Sequence, residues 1–246
     1  MEFTSHNIQL PDGSRTMAEK WLLNEGHHCK AIMRTLNLVF PPTDRNGLRI
    51  VDLGCLEGGY AVEFARAGFD VLGIEARKDN INKCEYVADK VGLRNLSFVQ
   101  NDVRNLAKYG TFDAVFCCGL LYHLENPAAY LKLIGRCTRR LLILQTHYAT
   151  EPDPPNFKLS PMTTHEGHRS KWFVEWPAGS PPEQVEHWVW ASVGNDRSFW
   201  PTKKHLLQSV REAGFQIVYE QYDFLDNIVD DPYIEQNARS LFIGIR

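Results

Sequence analysis

Between residues 48 and 146 short β-rich runs alternate with stretches of helical spacing, and this alternation restricts the fold more than any other feature of the 246-residue chain. The runs LRIVDL, FDVLGI, LSFVQ, FDAVFCC and LLILQT read as strands, while residues 58–67, 80–91 and 127–137 carry apolar side chains at helical intervals. Pro127 suits a first helical turn, where its missing N–H costs nothing. Repeated strand–helix–strand units predict a parallel sheet with helices on both faces, a doubly wound α/β core.

The flanking sequence differs in character. Apolar Met17, Trp21, Ile32, Leu36 and Val39 lie among polar residues in 16–40, which suits one or two amphipathic helices ended by Pro41 and Pro42. Residues 147–200 are rich in Pro, Trp and His without clean periodicity and read as a long insertion. A helix over 203–213 stopped by Gly214 follows, then the strand-like runs QIVYEQYDF and SLFIGIR. The expected organisation is a helical cap over 1–46, an α/β core over 47–146, an inserted lid over 147–200, and closing elements over 201–246. A content of 43% hydrophobic residues supports one such core with a smaller lobe. The formal charge of -3 gives no pull toward phosphate backbones or anionic lipid, so a small-molecule acceptor is favoured over nucleic acid or membrane. No apolar run suits a leader or a membrane span, and the six cysteines form no CxxC pairs, so reduced, mostly buried thiols in a cytoplasmic protein are expected.

In a doubly wound sheet, ligands sit beyond the carboxyl ends of the strands where the strand order reverses, which directs attention to the first strand–helix turn. It reads I-V-D-L-G-C-L-E-G-G, with glycines that let the backbone turn tightly ahead of a helix N-terminus. Glu75 ends the second run, where a carboxylate can accept both hydroxyls of a ribose, and Asp102 follows the third. Each has a plainer alternative: Glu75 as a solvated strand end, Asp102 as a helix N-cap. The G-x-G-x-x-G of nicotinamide dehydrogenases is broken by Leu56, and Asp52 stands where such enzymes carry an apolar residue.

The ordered succession of Asp52 with the Gly-rich turn, Glu75, Asp102 in V-Q-N-D-V, and F-D-A-V-F-C-C-G-L-L-Y-H-L resembles the class I S-adenosylmethionine-dependent methyltransferase family. The resemblance covers residues 48–146, and the two terminal runs agree with that family's closing hairpin. It implies a Rossmann-like, seven-stranded, mostly parallel sheet with S-adenosylmethionine as cofactor. It further implies a cofactor site of Asp52, Gly54, Cys55, Leu56, Gly58, Glu75, Ala76, Asp102, Val103 and Gly119. Gly54 and Gly58 would line the methionine side, Glu75 would hold the ribose, and Asp102 with Val103 would frame the adenine. One departure stands out, because the middle glycine of the family's turn is Leu56 here.

Methyl transfer from a sulfonium needs a nucleophile held in line, water excluded and, for a hydroxyl, a base to take the proton. His123 in G-L-L-Y-H-L, just beyond the fourth strand, is the candidate base, and its plainer alternative is a hydrogen-bonded loop histidine. Tyr122, His165, His168, Arg169 and Trp172 are the candidate acceptor contacts, since aromatic faces suit sugar-like groups and Arg or His can orient polar ones. Trp176, Trp188, Trp190 and Trp200 extend that aromatic set, or else form a satellite core. His165 and His168 with His147 or His123 leave a divalent metal as an alternative, although no metal is obligatory for the chemistry. The reading is O-methylation of a small or sugar-like acceptor. Its rivals are a tRNA methyl or carboxymethyl transferase, suggested by G-L-L-Y-H-L-E-N-P, and a non-catalytic nucleoside-binding module. The oligomeric state is not legible.

Overall fold

The computed structural model describes residues 1–18, 20–227 and 231–246. Its first half runs α1 (His27–Val39), β1 (Arg49–Leu53), α2 (Gly59–Arg66), β2 (Asp70–Glu75), α3 (Lys78–Val91), β3 (Leu96–Gln100) and β4 (Phe112–Cys118). There follow α4 (Pro127–Cys137), β5 (Thr138–His147), β6 (Thr163–His165), β7 (His168–Val174), α5 (Pro182–Glu186) and β8 (Arg197–Pro201). The chain closes with α6 (Lys203–Glu212), β9 (Ile217–Gln221), α7 (Tyr233–Asn237) and β10 (Arg239–Ile245). Seven strands form one sheet in the order β3-β2-β1-β4-β5-β10-β9, and three form a second in the order β6-β7-β8. β1 is parallel to β2 and β4, β2 is parallel to β3, and β10 runs antiparallel to β5 and β9. This is the mostly parallel, doubly wound sheet that the alternation predicts. Its order reverses beside β1.

Two compact units divide the chain, one of residues 1–116 with 223–226 and one of 117–222 with 227–246. In the first, β1 is buried on both faces, since Ile50, Val51 and Leu53 and also Asp52 are all buried, the pattern of a strand covered on both sides. Phe3 and Ile8 pack with Val62 of α2 and Val87 of α3. In the second unit α4 and α6 come together at Gly135, where a Cβ would lie 2.1 Å from the Ala213 carbonyl oxygen, so only glycine permits this approach. Arg246 donates to the Gly135 and Ala213 carbonyls at 2.6 and 3.1 Å, which takes up acceptors that the close packing would otherwise strand.

Two stretches differ from the sequence expectation. The helical pattern read from residue 16 becomes an α-helix only at His27, and Trp21 is 86% exposed. Side-chain bonds hold the earlier segment away from helix: Asn7 accepts from the Met17 N–H and donates to the Lys20 carbonyl, and Thr16 accepts from the Ile8 N–H. The insertion, read as loop, is instead built on a β-hairpin. Glu166 and Gly167 both have positive φ, 50° and 80°, between the paired residues His165 and His168, which is the backbone of a two-residue type I′ turn. The unfavourable φ at Glu166 is offset by its carboxylate, which accepts from the Ala128 and Ala129 N–H groups and so caps the start of α4.

Candidate functional site

In the first unit, the turn between β1 and α2 follows the path of a glycine-rich loop despite Leu56. Leu56 itself adopts φ 53°, the conformation a glycine would take there, at a cost of about 1 to 2 kcal/mol for an L-residue. Two bonds hold it: its N–H donates to Glu75 Oε2 at 3.0 Å, and its carbonyl accepts from the Cys84 thiol at 3.2 Å. Cys55 and Cys84 Sγ lie 3.8 Å apart, packed with Ile81 and Phe98. Gly58, at φ 79°, is required for packing as well as for the turn, since a Cβ there would meet the Phe98 ring at 2.7 Å.

Asp52 and Glu75 end adjacent parallel strands, and both are buried. Glu75 accepts the Leu56 and Arg77 N–H groups at 3.0 and 2.8 Å, one on each oxygen, which leaves further lone pairs on both for other donors. Burial raises its carboxyl pKa in spite of those bonds. Asp52 Oδ2 is buried with no hydrogen-bond partner among the described residues. Burial and the neighbouring Glu75 carboxylate push the Asp52 pKa up to about 8. An orphaned buried acid beside a glycine-rich turn fits a ligand that brings a cation and N–H donors, as S-adenosylmethionine does. Asp102 caps the short 3-10 helix Val103–Tyr109, accepting from the Arg104 N–H at 2.8 Å. The Arg104 guanidinium also reaches both its oxygens at 2.5 to 3.0 Å. Although burial raises its pKa, these bonds hold the carboxyl below its usual range. The N-cap alternative for Asp102 is therefore realised, with capacity left for a further donor. Val103 is buried directly after it.

Sequence reasoning passed over Glu57, in the same turn, which is fully buried. Its carboxylate accepts from the N–H groups of Thr4, Ser5 and His6 at 2.7 to 3.0 Å, and from Lys83 Nζ at 2.9 Å. Burial alone would raise its pKa, but these donors bring it down to about 2. His6 in turn accepts the Gly59 N–H at Nδ1 (3.0 Å), and burial lowers its pKa to about 4 against the pull of Glu57. The first residues of the chain are thus tied to the start of α2.

In the second unit, Gly119 (φ 73°) donates its N–H to the Gln145 carbonyl at 3.0 Å, and the short 3-10 turn Leu121–His123 follows. Gly119, Tyr122 and His123 are brought together here. The Tyr122 ring lies 4.2 Å from that of His123 and 4.5 Å from His147, and the Arg239 guanidinium sits 5.4 Å from its centroid. Arg239 also donates to Gln145 Oε1 at 2.9 Å. His123 Nδ1 lies 2.9 and 3.1 Å from the two oxygens of Glu175, whose side chain is 1% exposed against 15% for His123. Nε2 makes no hydrogen bond among the described residues. Glu175 was missed in the sequence because its partner is 52 residues away, with no spacing rule to link them.

The other insertion residues lie on and around the β6–β7–β8 sheet. His165 contacts Trp172 and Phe199 at ring distances of 5.0 and 4.7 Å and bonds Asn126, and Arg197 stacks over Trp172 at 4.4 Å. His168, directly opposite His165 across the hairpin, is buried against Ser209 of α6, while Arg169 is exposed. Trp200, fully buried among Phe157, Phe173 and His147, realises the satellite-core alternative. His147 bonds the Asn237 carbonyl, so the candidate metal histidines have separate partners, and no cluster of three or more metal-ligating side chains occurs among the described residues. No helix among them is long and apolar enough to cross a membrane.

Comparison with known proteins agrees with this architecture. The chain is 30% identical over 132 residues to a ubiquinone biosynthesis O-methyltransferase of Rickettsia typhi (strain ATCC VR-144 / Wilmington), covering 53% of this chain and 50% of that protein. It is 33% identical over 88 residues to one from Acinetobacter baylyi (strain ATCC 33305 / BD413 / ADP1), covering 35% and 37%. The chain therefore spans half or less of the length of these curated relatives. Among solved structures, the N-terminal domain of EvdMO1 with S-adenosylhomocysteine (SAH) bound superimposes with TM-score 0.65 at 26% identity, over 87% of this chain and 80% of that one. The SAH complex of magnesium protoporphyrin IX methyltransferase (ChlM) from Synechocystis PCC 6803 shares the fold, with TM-score 0.57 at 15% identity over 94% and 90%. A family model described as a methyltransferase domain matches residues 24–220, and with the strand order and the turn at Asp52–Gly58 it makes this chain a member of the class I S-adenosylmethionine-dependent methyltransferases.

Proposed function

We propose that the protein transfers a methyl group from S-adenosylmethionine to a hydroxyl oxygen of a small, sugar-like acceptor, with His123 as the base. The observation that carries the choice of oxygen is the His123–Glu175 pair. A ring held through Nδ1, with Nε2 uncommitted, is equipped to take the proton from a hydroxyl, which is a poor nucleophile until it loses it. The relatives named above as O-methyltransferases support the same choice. Support for a sugar-like acceptor comes from a structure of the EvdMO1 N-terminal domain in the presence of SAH and D-fucose, 25% identical with TM-score 0.68 over 95% of this chain and 88% of that one.

When bound, the cofactor supplies an electrophilic methyl carbon on a sulfonium, so displacement needs no metal ion. Glu75 accepts its ribose hydroxyls, Asp102 and Val103 border its adenine, and Asp52 meets its positive charge. Gly54, Cys55, Leu56 and Gly58 provide the backbone turn, with Ala76 and Gly119 completing the cofactor contacts. On the acceptor side, Tyr122 shapes the surroundings of His123, and the less buried candidates of the insertion, His165 and Arg169, select the acceptor. His168 and most of Trp172 act in packing. The six free thiols, five of them buried, suit a reducing cytoplasm.

Screening hydroxylated acceptors with methyl-labelled cofactor, and placing the label by mass and NMR, tests the reaction. His123→Ala should then lower turnover by about 10²-fold or more at unchanged SAH affinity and remove the lower limb of the pH–rate profile. Label found on nitrogen or carbon, or full turnover in the variant, rejects the reading.

A further inference from the structure

We propose that Glu175, which belongs to the insertion, is a positioning residue that fixes His123 in the tautomer with its proton on Nδ1, leaving Nε2 as the proton acceptor. The inference rests on the reading of His123 as base.

A carboxylate can only accept, so Nδ1, within 2.9 and 3.1 Å of its two oxygens, must donate. Glu175 cannot swing away. Its own N–H donates to the Asp196 carbonyl at 2.8 Å, and Ser192 N–H donates to Oε2 at 3.0 Å. The insertion also grips the backbone that carries the base. Three consecutive carbonyls, those of Tyr122, His123 and Leu124, accept from Trp200 Nε1, Asn195 Nδ2 and Phe199 N–H at 2.9, 2.9 and 3.0 Å. A segment that only covered a pocket would have no need of these bonds. Taken together they fix ring position, ring rotation and tautomer from a single stretch of chain, which is what a base must have before an acceptor arrives.

Oε2 takes both the Ser192 N–H at 3.0 Å and the shorter contact to Nδ1 at 2.9 Å, so the amide oxygen of a Glu175→Gln variant, held there by Ser192, still accepts from Nδ1. Glu175→Gln is therefore the nearly isosteric control that keeps the tautomer, and Glu175→Leu, which removes the acceptor, is the variant that releases it. The test is 15N NMR of imidazole-labelled protein at a pH where the ring is neutral, together with turnover and SAH binding. Wild type and Glu175→Gln should both show a protonated Nδ1 and an unprotonated Nε2. Glu175→Leu should lose that fixed state, with the proton shared between the nitrogens or moved to Nε2, and lower turnover by about 10²-fold or more at unchanged SAH affinity, toward the roughly 10⁴-fold loss of a base held in the wrong tautomer. A proton on Nε2 in wild type overturns the proposal without any variant, as does a Glu175→Leu protein that keeps its proton on Nδ1. A changed tautomer with undiminished turnover overturns instead the assignment of His123 as base, so the two failures are distinguishable.

Discussion

Asp52 offers a quantitative test of the cofactor site through its proton. With a pKa of about 8 in the free protein, it is about 0.9 protonated at pH 7. A cofactor that brings positive charge beside it restores the ionised form, and binding then releases about 0.9 proton at pH 7. Titration calorimetry in buffers of different ionisation enthalpy reads that number directly. The same linkage makes affinity rise about tenfold between pH 6 and 7, by about a further fivefold to pH 8, and level off only above that. Stability of the free protein runs the other way. A carboxyl whose folded pKa is raised stabilises nothing when ionised, so Asp52 should lower unfolding stability progressively as pH rises from about 4 to about 8, by at most about 1.4 kcal/mol per pH unit. Asp52→Asn should abolish both the proton release and this slope while weakening cofactor binding. Comparing S-adenosylmethionine with SAH adds a control, because only the former carries the sulfonium. A binding enthalpy independent of buffer, with affinity flat from pH 6 to 7.5, would refute the reasoning.

Other expectations follow from single contacts. Glu75→Ala should weaken S-adenosylmethionine binding by about 10- to 100-fold by calorimetry, since it removes the proposed ribose acceptor and the anchor of the Leu56 N–H. Glu57→Ala should cost about 3 kcal/mol in denaturant melts by leaving Lys83 and three backbone N–H groups without their acceptor. Because the folded pKa of Glu57 is depressed to about 2, its contribution is complete above pH 4.5 and fades as pH falls toward 2, which acid titration of wild type against Glu57→Gln can follow. Hydrogen exchange in residues 175–196 should slow when SAH and an acceptor are both present, whereas equal protection with and without them would make that stretch purely structural.

The core was legible because two periodicities do not overlap. Leu96–Gln100, Phe112–Cys118 and Pro127–Cys137 fall on their sequence expectations without shift, since each is an apolar pattern bounded by Gly, Asn, Asp or Pro. Other boundaries moved slightly: β1 begins at Arg49, β2 includes Glu75, and β5 starts at Thr138, directly after α4. The hairpin inside the insertion was not legible for a specific reason. T-H-E-G-H-R drew attention to its histidines, while its structural content lay in Glu166-Gly167, a hairpin turn in which the favoured first residue, Asn or Gly, is replaced by Glu. The N-terminal segment was read as more helical than it is, because local periodicity cannot register Asn7 bonding to residues 17 and 20. Glu57 and Glu175 have the same cause of invisibility. Their roles are set by donors tens of residues away, and a lone glutamate in a sequence carries no mark of its partners.

The clasp of Thr4, Ser5 and His6 on Glu57 bears on the order in which the chain can acquire structure during synthesis. These residues are made before their acceptor, which lies 51 to 53 residues later, and before its counter-ion, Lys83, later still. Until α2 and α3 have emerged and packed on β1 and β2, residues 4–6 have nowhere to dock and remain open to proteases and chaperones. Once residue 83 is out, every partner of the clasp exists, long before β9 and β10 are made. Protection of residues 4–6 should therefore set in during translation when α3 emerges, ahead of the strands that close the sheet.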